Sequence, residues 1–241
     1  MAVTALILAA GFGTRLRPLT DTLPKPILPV GGRPIIEYTL RLLKRHGIAD
    51  VVINLHHLGE KIKAALGDGS RYGMSITYAE EPEILGTGGA IQAAAPHFGA
   101  EGLLVINGDI LVEIDLDAVV DFHRRKGGMA TLVLREDPDI ARYGAVEIDD
   151  AERICNLRGQ IEVAADLPRR QRMFTGIHLL TPAILPAIPT SGYCDIADVY
   201  IDLIRRGFPL FGQTMTGYWN DIGTPDRYHQ AERDLQEARF L

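Results

Sequence analysis

The sequence predicts an α/β protein, a mostly parallel sheet flanked by helices, and three observations carry that prediction. Short, continuously apolar runs at residues 3–9 and 51–55 read as strands covered on both faces. Stretches with helical apolar spacing alternate with such runs, and strand–helix alternation is the pattern of a parallel sheet. Glycine-rich turns and Asp109 follow the strands, at the carboxyl ends where ligands of parallel sheets gather.

Each element has its own signal. Residues 3–9 are apolar and end in glycine, as a central strand should. Residues 34–46 carry Ile35, Ile36, Leu40, Leu42 and Leu43 at helical spacing, and Gly47 stops the helix. Strand 51–55 follows, then helix 58–66 with Glu60 and Lys61 on its wet face, then an alternating strand at 74–79. A glycine turn opens a helix over 90–95, and 103–106 is a fourth strand. Beyond a helix at 115–126 the order loosens. Residues 130–134, 145–148, 154–157 and 173–180 read as strands, and 195–206 and 225–237 as helices.

Composition excludes several classes. A chain of 241 residues, 46% hydrophobic and 23% charged, can bury a sizeable core. A formal net charge of -6 argues against nucleic acid, which usually selects a basic stripe. The two cysteines, Cys155 and Cys194, are too few for a disulfide framework and lack metal-ligand spacing, which suits a reducing cytoplasm. The apolar start has no basic leader and runs straight into the loop described next, so it is not read as a signal peptide. No run approaches the roughly 18 apolar residues of a membrane span.

That loop is Gly11-Phe12-Gly13-Thr14-Arg15-Leu16-Arg17-Pro18-Leu19-Thr20, followed by Leu23-Pro24-Lys25-Pro26. Two glycines let backbone come close to a bulky ligand, and successive N–H groups make an anion-binding concavity. Arg15, Arg17 and Lys25 add three cations, so the loop reads as a polyphosphate site. A dinucleotide fingerprint needs a third glycine, where this chain has Leu16, and Pro18 would break the helix that must follow. A nucleoside-triphosphate P-loop needs Gly-Lys followed by Ser or Thr, a tripeptide this chain lacks. A merely solvated surface loop is disfavoured because prolines on both sides of Lys25 make a rigid holder.

The motif Gly-x-Gly-Thr-Arg-Leu-x-Pro-Leu-Thr with Pro-Lys-Pro resembles the signature of the sugar-1-phosphate nucleotidyltransferases. The resemblance continues through Leu85-Gly86-Thr87-Gly88-Gly89-Ala90, Asn107-Gly108-Asp109 and Trp219-Asn220-Asp221-Ile222-Gly223-Thr224, and so covers nearly the whole chain. It implies one Rossmann-like domain over 1–241, with a nucleotide half at 1–110 and a sugar-phosphate half at 111–241. With nothing following Leu241, a stand-alone transferase is expected, acting as a monomer or small homo-oligomer.

The implied reaction joins a nucleoside triphosphate to a sugar 1-phosphate and releases pyrophosphate. Both reactants are anions, so catalysis consists of neutralising charge and aligning groups. Arg15 suits the β/γ-phosphates, because a guanidinium forks around phosphate oxygens, and Lys25 suits the transferred phosphoryl group. For Arg17 an exposed salt bridge serves equally well. Asp109 and Asp221 resemble the family's pair of magnesium-binding aspartates, and Mg²⁺ prefers such oxygen ligands. The catalytic set is therefore Arg15, Lys25 and Asp109, with Asp109 and Asp221 on the metal.

For the nucleotide, the resemblance adds Ala10, Gly11, Gly13 and Thr14, and Gly86, Thr87 and Gly88, whose turn lets a base or sugar lie against backbone. Glu81 stands where the family reads the base; an acceptor-only carboxylate matches the adjacent donors of guanine. Asn107, Gly144, Glu162 and Thr175 match positions associated with the sugar phosphate. The family's Glu-Lys-Pro is missing. Residues 161–163 lie in that region with Arg169, Arg170 and Arg172 nearby, and the replacing cation is open. The seven histidines show no zinc spacing and read as surface or helix-cap residues. The expectation is a cytoplasmic, magnesium-dependent enzyme, leaning toward mannose- or heptose-1-phosphate guanylyl transfer. Uridylyl or thymidylyl transfer, a cytidylyltransferase for a non-sugar alcohol phosphate, and a silent nucleotide-sugar sensor are its rivals.

Overall fold

A computed structural model describes residues 3–138, 140, 144–162 and 168–239. In chain order the strands are β1 (Val3–Leu8), β2 (Pro29–Val30), β3 (Arg33–Pro34), β4 (Asp50–Leu55), β5 (Ser75–Glu80), β6 (Gly102–Asn107) and β7 (Ile110–Val112). They continue as β8 (Ala130–Arg135), β9 (Ala145–Ile148), β10 (Ile154–Leu157), β11 (Arg170–Leu180), β12 (Leu210–Met215) and β13 (Trp219–Asp221). The α-helices are α1 (Leu19–Thr22), α2 (Ile35–Arg45), α3 (Gly59–Leu66), α4 (Gly86–Ala93), α5 (Leu116–Lys126), α6 (Ile196–Arg205) and α7 (Pro225–Gln236). The α/β class expected from the sequence is the one observed.

The chain forms two compact units, each assembled from separated stretches. The first comprises Met1–Ile84, Ile106–Asp115 and Gly217–Leu241. Its β1, β4 and β5 are parallel, with Leu8 opposite Asn54 and Leu55 opposite Glu80. Leu6, Ile7 and Ile53 are fully buried, which explains the unbroken apolar runs. Helix α2 buries Ile35, Ile36, Leu40, Leu42 and Leu43, as its spacing predicts. The last residues of the chain return to this unit: β13 pairs antiparallel with β7, placing Asp221 opposite Ile110. Helix α7 then starts on Thr224, whose hydroxyl caps the Arg227 N–H.

The second unit comprises Leu85–Val105 and Leu116–Thr216. Here β12 runs parallel to β8, while β8, β9 and β10 meet β11 or one another antiparallel, which is why strand–helix alternation fades from the sequence. The β8–β11 register shifts between Phe174 and His178, around Gly176 at φ 81.

Helix α4 begins at Gly86, so the glycine-rich turn is its start, as the sequence predicts. One expectation is corrected in this unit. Among the histidines, His123 and His178 are neither surface nor capping residues. His123 is buried with Nδ1 2.8 Å from the Thr131 hydroxyl. His178 is buried and hydrogen-bonded to the Tyr200 hydroxyl, and desolvation pushes its imidazole down to about 3. Each ring has one nitrogen partnered by a hydroxyl, while His123 Nε2 is buried without a partner among the described residues.

Candidate active site

The cation-bearing loop is anchored from below. Leu16 packs with Leu28, Val30, Ile35, Leu111, Ile222 and Ala231 in one buried cluster. Burying a leucine stabilises by about 1.5–3 kcal/mol, enough to hold a loop most of whose other side chains face water. Thr14, Arg15 and Leu16 form a 3-10 turn after Gly13, at φ +64. A Cβ on Gly13 would lie 2.9 Å from Thr20 Cγ2, and the Thr20 hydroxyl donates to the Gly13 carbonyl at 2.9 Å. Glycine is therefore required here by both conformation and space. Arg15 is exposed at the top of this turn, as are Gly11 and Thr14, whereas Ala10 is buried. Arg17 forms an exposed ion pair with Asp21 at 3.2 Å, which is the simpler of its two expected roles.

Lys25 is held differently. It opens a 3-10 turn between its prolines and is only 8% exposed, and its Nζ lies 2.5 Å from Asp109 Oδ2. Asp109 reaches it because Gly108 passes against the end of β1, its N–H bonded to the Leu8 carbonyl at 2.9 Å. A side chain at 108 would sit 2.8 Å from that oxygen, so any larger residue would push Asp109 away. The Asp109 carbonyl accepts the Ile222 N–H at 2.9 Å, which ties the segments carrying the two aspartates. Asp221 Oδ1 lies 3.4 Å from Arg227 Nη1, and its Oδ2 flanks Gly223 beside the Arg15 guanidinium. The first unit thus brings Arg15, Lys25, Asp109 and Asp221 into one neighbourhood from three separate stretches. Asn107, the last residue of β6, leads into it and is half-buried.

Glu81 is not on the surface. It is 5% exposed, and Asn54 Nδ2 donates to its Oε1 at 2.7 Å. Asn54 Oδ1 accepts the Ala9 N–H at 2.7 Å, so one buried side-chain amide joins the start of the loop to the Glu81 carboxylate. The Glu81 carbonyl also meets His56 Nδ1 at 2.8 Å. Asn54 orients a candidate site residue and was missed by sequence reasoning; its signal was a polar side chain within an otherwise apolar run.

In the second unit, Gly86 and Gly88 are explained first by packing. A Cβ on Gly86 would lie 2.5 Å from the Cys194 carbonyl oxygen, and one on Gly88 2.5 Å from Cys194 Sγ. The Gly88 N–H donates to that same carbonyl at 2.8 Å, while Thr87 stays half-exposed. Cys155 and Cys194 are both free, and burial pushes each thiol pKa up.

Thr175 is buried, with its hydroxyl donating to the Val133 carbonyl at 2.8 Å. Glu162 is exposed, and the neighbouring Val163 lies outside the described residues. Arg169 pairs with Glu147 at 2.9 Å and Arg172 with Glu136 at 2.8 Å, while Arg170 donates to the Asp149 carbonyl. Gly144, at φ +82, faces Arg158 Cγ at 3.2 Å from its would-be Cβ. Arg158 was not foreseen. It is a non-glycine residue at φ 55, and its guanidinium is 3.0 Å from Asp195 Oδ2.

A family model described as nucleotidyl transferase matches residues 4–238. A UTP–glucose-1-phosphate uridylyltransferase of Synechocystis is 36% identical, over 96% of this chain and 63% of that protein. A mannose-1-phosphate guanylyltransferase of Mycobacterium tuberculosis is 33% identical, over 97% of this chain and 64% of its own length. The chain thus spans just under two thirds of those two relatives. An N-acetylmuramate α-1-phosphate uridylyltransferase of Neisseria meningitidis is 37% identical, over 95% of this chain and 96% of that protein. Among solved structures, a Bacillus anthracis protein described as a glucose-1-phosphate thymidylyltransferase, in complex with a sucrose, superposes with a TM-score of 0.83 at 28% identity, covering 100% of this chain and 96% of that one. Within the described residues no helix is long and apolar enough to cross a membrane. The chain belongs to the nucleotidyl transferase family, alongside these sugar-1-phosphate nucleotidyltransferases.

Proposed function

We propose that the protein is a cytoplasmic enzyme that transfers a nucleoside monophosphate from a nucleoside triphosphate to a sugar 1-phosphate. The observation that carries this reading is the Lys25–Asp109 pair beneath the glycine loop, with Arg15 beside Asp221. The site offers cations on a preorganised backbone and, among the described residues, no nucleophile–base pair, which suits direct attack of one phosphate on another. Arg15 holds the β/γ-phosphates and the departing pyrophosphate. Lys25, stiffened by its prolines, faces the phosphoryl group being transferred.

Asp109 and Asp221 fit Mg²⁺ because they offer hard carboxylate oxygens on segments joined through the Asp109 carbonyl, with no thiolate or imidazole in the set. Bound there, the ion would supply charge neutralisation to the phosphates. Residues 1–110 take the nucleotide in this reading, and residues 111–241 take the sugar phosphate and contribute Asp221. Gly86, Thr87 and Gly88 serve the nucleotide, and Gly144, Glu162 and Thr175 the sugar phosphate. Arg158, facing Gly144, supplies the cation expected in place of the missing lysine.

Glu81, buried and oriented by Asn54, favours guanine, and the sugar is then mannose or heptose 1-phosphate. A second reading is uridylyl transfer, favoured by the 36% and 37% identical relatives named as uridylyltransferases. The test is a panel of five nucleoside triphosphates against several sugar 1-phosphates, read by pyrophosphate release. Release with GTP supports the first reading and release with UTP the second. Silence across the panel would overturn the enzymatic proposal.

A further inference from the structure

A second concentration of positive charge lies in the first unit, in a cavity of about 590 Å³ beside α2. Arg33, Arg41, Lys44, Arg45 and Arg71 all line it, in a protein whose formal net charge is -6. These cations come from three places: the β3 strand, the outer face of α2, and the turn Ser70–Tyr72. Complementing the helix dipole would explain Lys44 and Arg45 at the end of α2. It does not explain Arg33 or Arg71, which reach the same space from other elements.

The charges are held in place by partners that leave donors over. Glu37 pairs with Arg33 at 3.5 Å and with Arg41 at 3.1 Å. Lys44 donates to the Gly73 carbonyl at 2.6 Å, and Arg71 to the Ala65 carbonyl and the Tyr72 hydroxyl. Tyr38 and Tyr72, also in the lining, lie under the Arg33 and Arg71 guanidiniums at 5.6 and 4.6 Å. Among the described residues the Arg45 side chain makes no hydrogen bond or ion pair. Glu37 and Glu232, the latter bonded to the Gly31 N–H, offset only part of this charge. The volume lies within the ~300–1,000 Å³ usual for small-molecule sites. Guanidinium forks match phosphate oxygens two at a time.

We propose that this cavity is a second anion site, which takes a phosphorylated small molecule through Arg33, Arg41, Arg45 and Arg71. None of the loop residues 11–25 lines it, so it does not depend on the function proposed above.

The test is an NMR titration of the full ¹⁵N-labelled chain with inorganic phosphate, then with glucose 6-phosphate, then with AMP. Wild type is compared with the Arg41→Ala/Arg45→Ala double variant, whose substitutions fall on exposed positions. Saturable shifts are expected at the amides of Arg33, Tyr38, Lys44 and Tyr72. Losing a charge-assisted hydrogen bond should raise the midpoint about tenfold or more in the variant. Shifts in the 11–25 loop should stay the same in both proteins. Tighter binding of glucose 6-phosphate than of AMP points to a sugar-phosphate source, and the reverse to a nucleotide. Absence of saturable shifts around α2, or equal midpoints in the two proteins, would overturn the proposal.

Discussion

Lys25 Nζ lies 2.5 Å from Asp109 Oδ2, joining residues 84 positions apart. The lysine side chain is 9% exposed and the aspartate's 33%, so the pair opens to solvent on its acidic side. Desolvating a lysine is costly unless a counter-charge accompanies it, and Asp109 supplies that charge. The same pair links the proline-held cation to one of the two proposed metal ligands.

Lys25→Ala and Arg15→Ala should each lower turnover by about a hundredfold or more, the usual effect of removing one preorganised charge-stabilising group. Arg15 is exposed, so its variant should unfold like wild type. Steady-state pyrophosphate release decides the matter. Turnover near normal with only the Michaelis constant altered would refute the role.

Asp109→Asn keeps the shape of the side chain and removes the charge a divalent ion needs. Metal-dependent activity should vanish in this variant, and EDTA should silence the wild type until Mg²⁺ is restored. Full activity in EDTA would sink the magnesium proposal.

Glu81→Gln should weaken a preference for GTP over UTP, since the amide replaces one acceptor with a donor. Asn54→Ala should weaken it in the same direction while leaving the carboxylate in place, because Asn54 orients Glu81. A competition assay between the two nucleotides measures both. Unchanged selectivity in both variants would remove Glu81 from base reading, because sites built on buried hydrogen bonds discriminate strongly.

Arg158→Ala should raise the Michaelis constant for the sugar 1-phosphate by about tenfold or more, the cost of one charge-assisted contact, and leave that for the nucleotide unchanged. A loss shared equally by both substrates would argue instead for disturbed packing at Gly144.

His178 gives a prediction about stability. Burial holds its imidazole down to about 3, so it stays neutral when folded, while an unfolded imidazole protonates below about 6.5. Between those values the unfolded chain binds more protons, so stability falls as pH falls through that window, by up to about 1.4 kcal/mol per pH unit. His178→Gln keeps a polar partner for Tyr200 without titrating. Urea unfolding at several pH values from about 4 to 6 should show a shallower slope for the variant. Equal slopes would mean that His178 is solvated in the folded protein.

The sequence by itself determined most of the strands and helices, though not β7, β12 or β13, and the residues of the cation loop. Unbroken apolar runs such as 3–9, helical spacing as in α2, and glycine or proline punctuation are local signals, readable without neighbours. Local pattern also showed that Asp109 follows a strand. It could not show that Gly108 presses on Leu8, that Asp109 meets Lys25, or that the chain's end returns to place Asp221 beside Arg15. Those relations join residues far apart in sequence and exist only once strands have chosen partners. Nor could local pattern show that Cys194 occupies the space that side chains at 86 and 88 would need. The misread histidines have the same cause. His178 looks like a surface polar residue until Tyr200 supplies its buried hydrogen bond. Asn54 and Arg158 carried no motif, because what sets each apart is a contact, to Glu81 in one case and to Asp195 in the other. Burial and pairing are properties of the packed state, and only tertiary structure decided them.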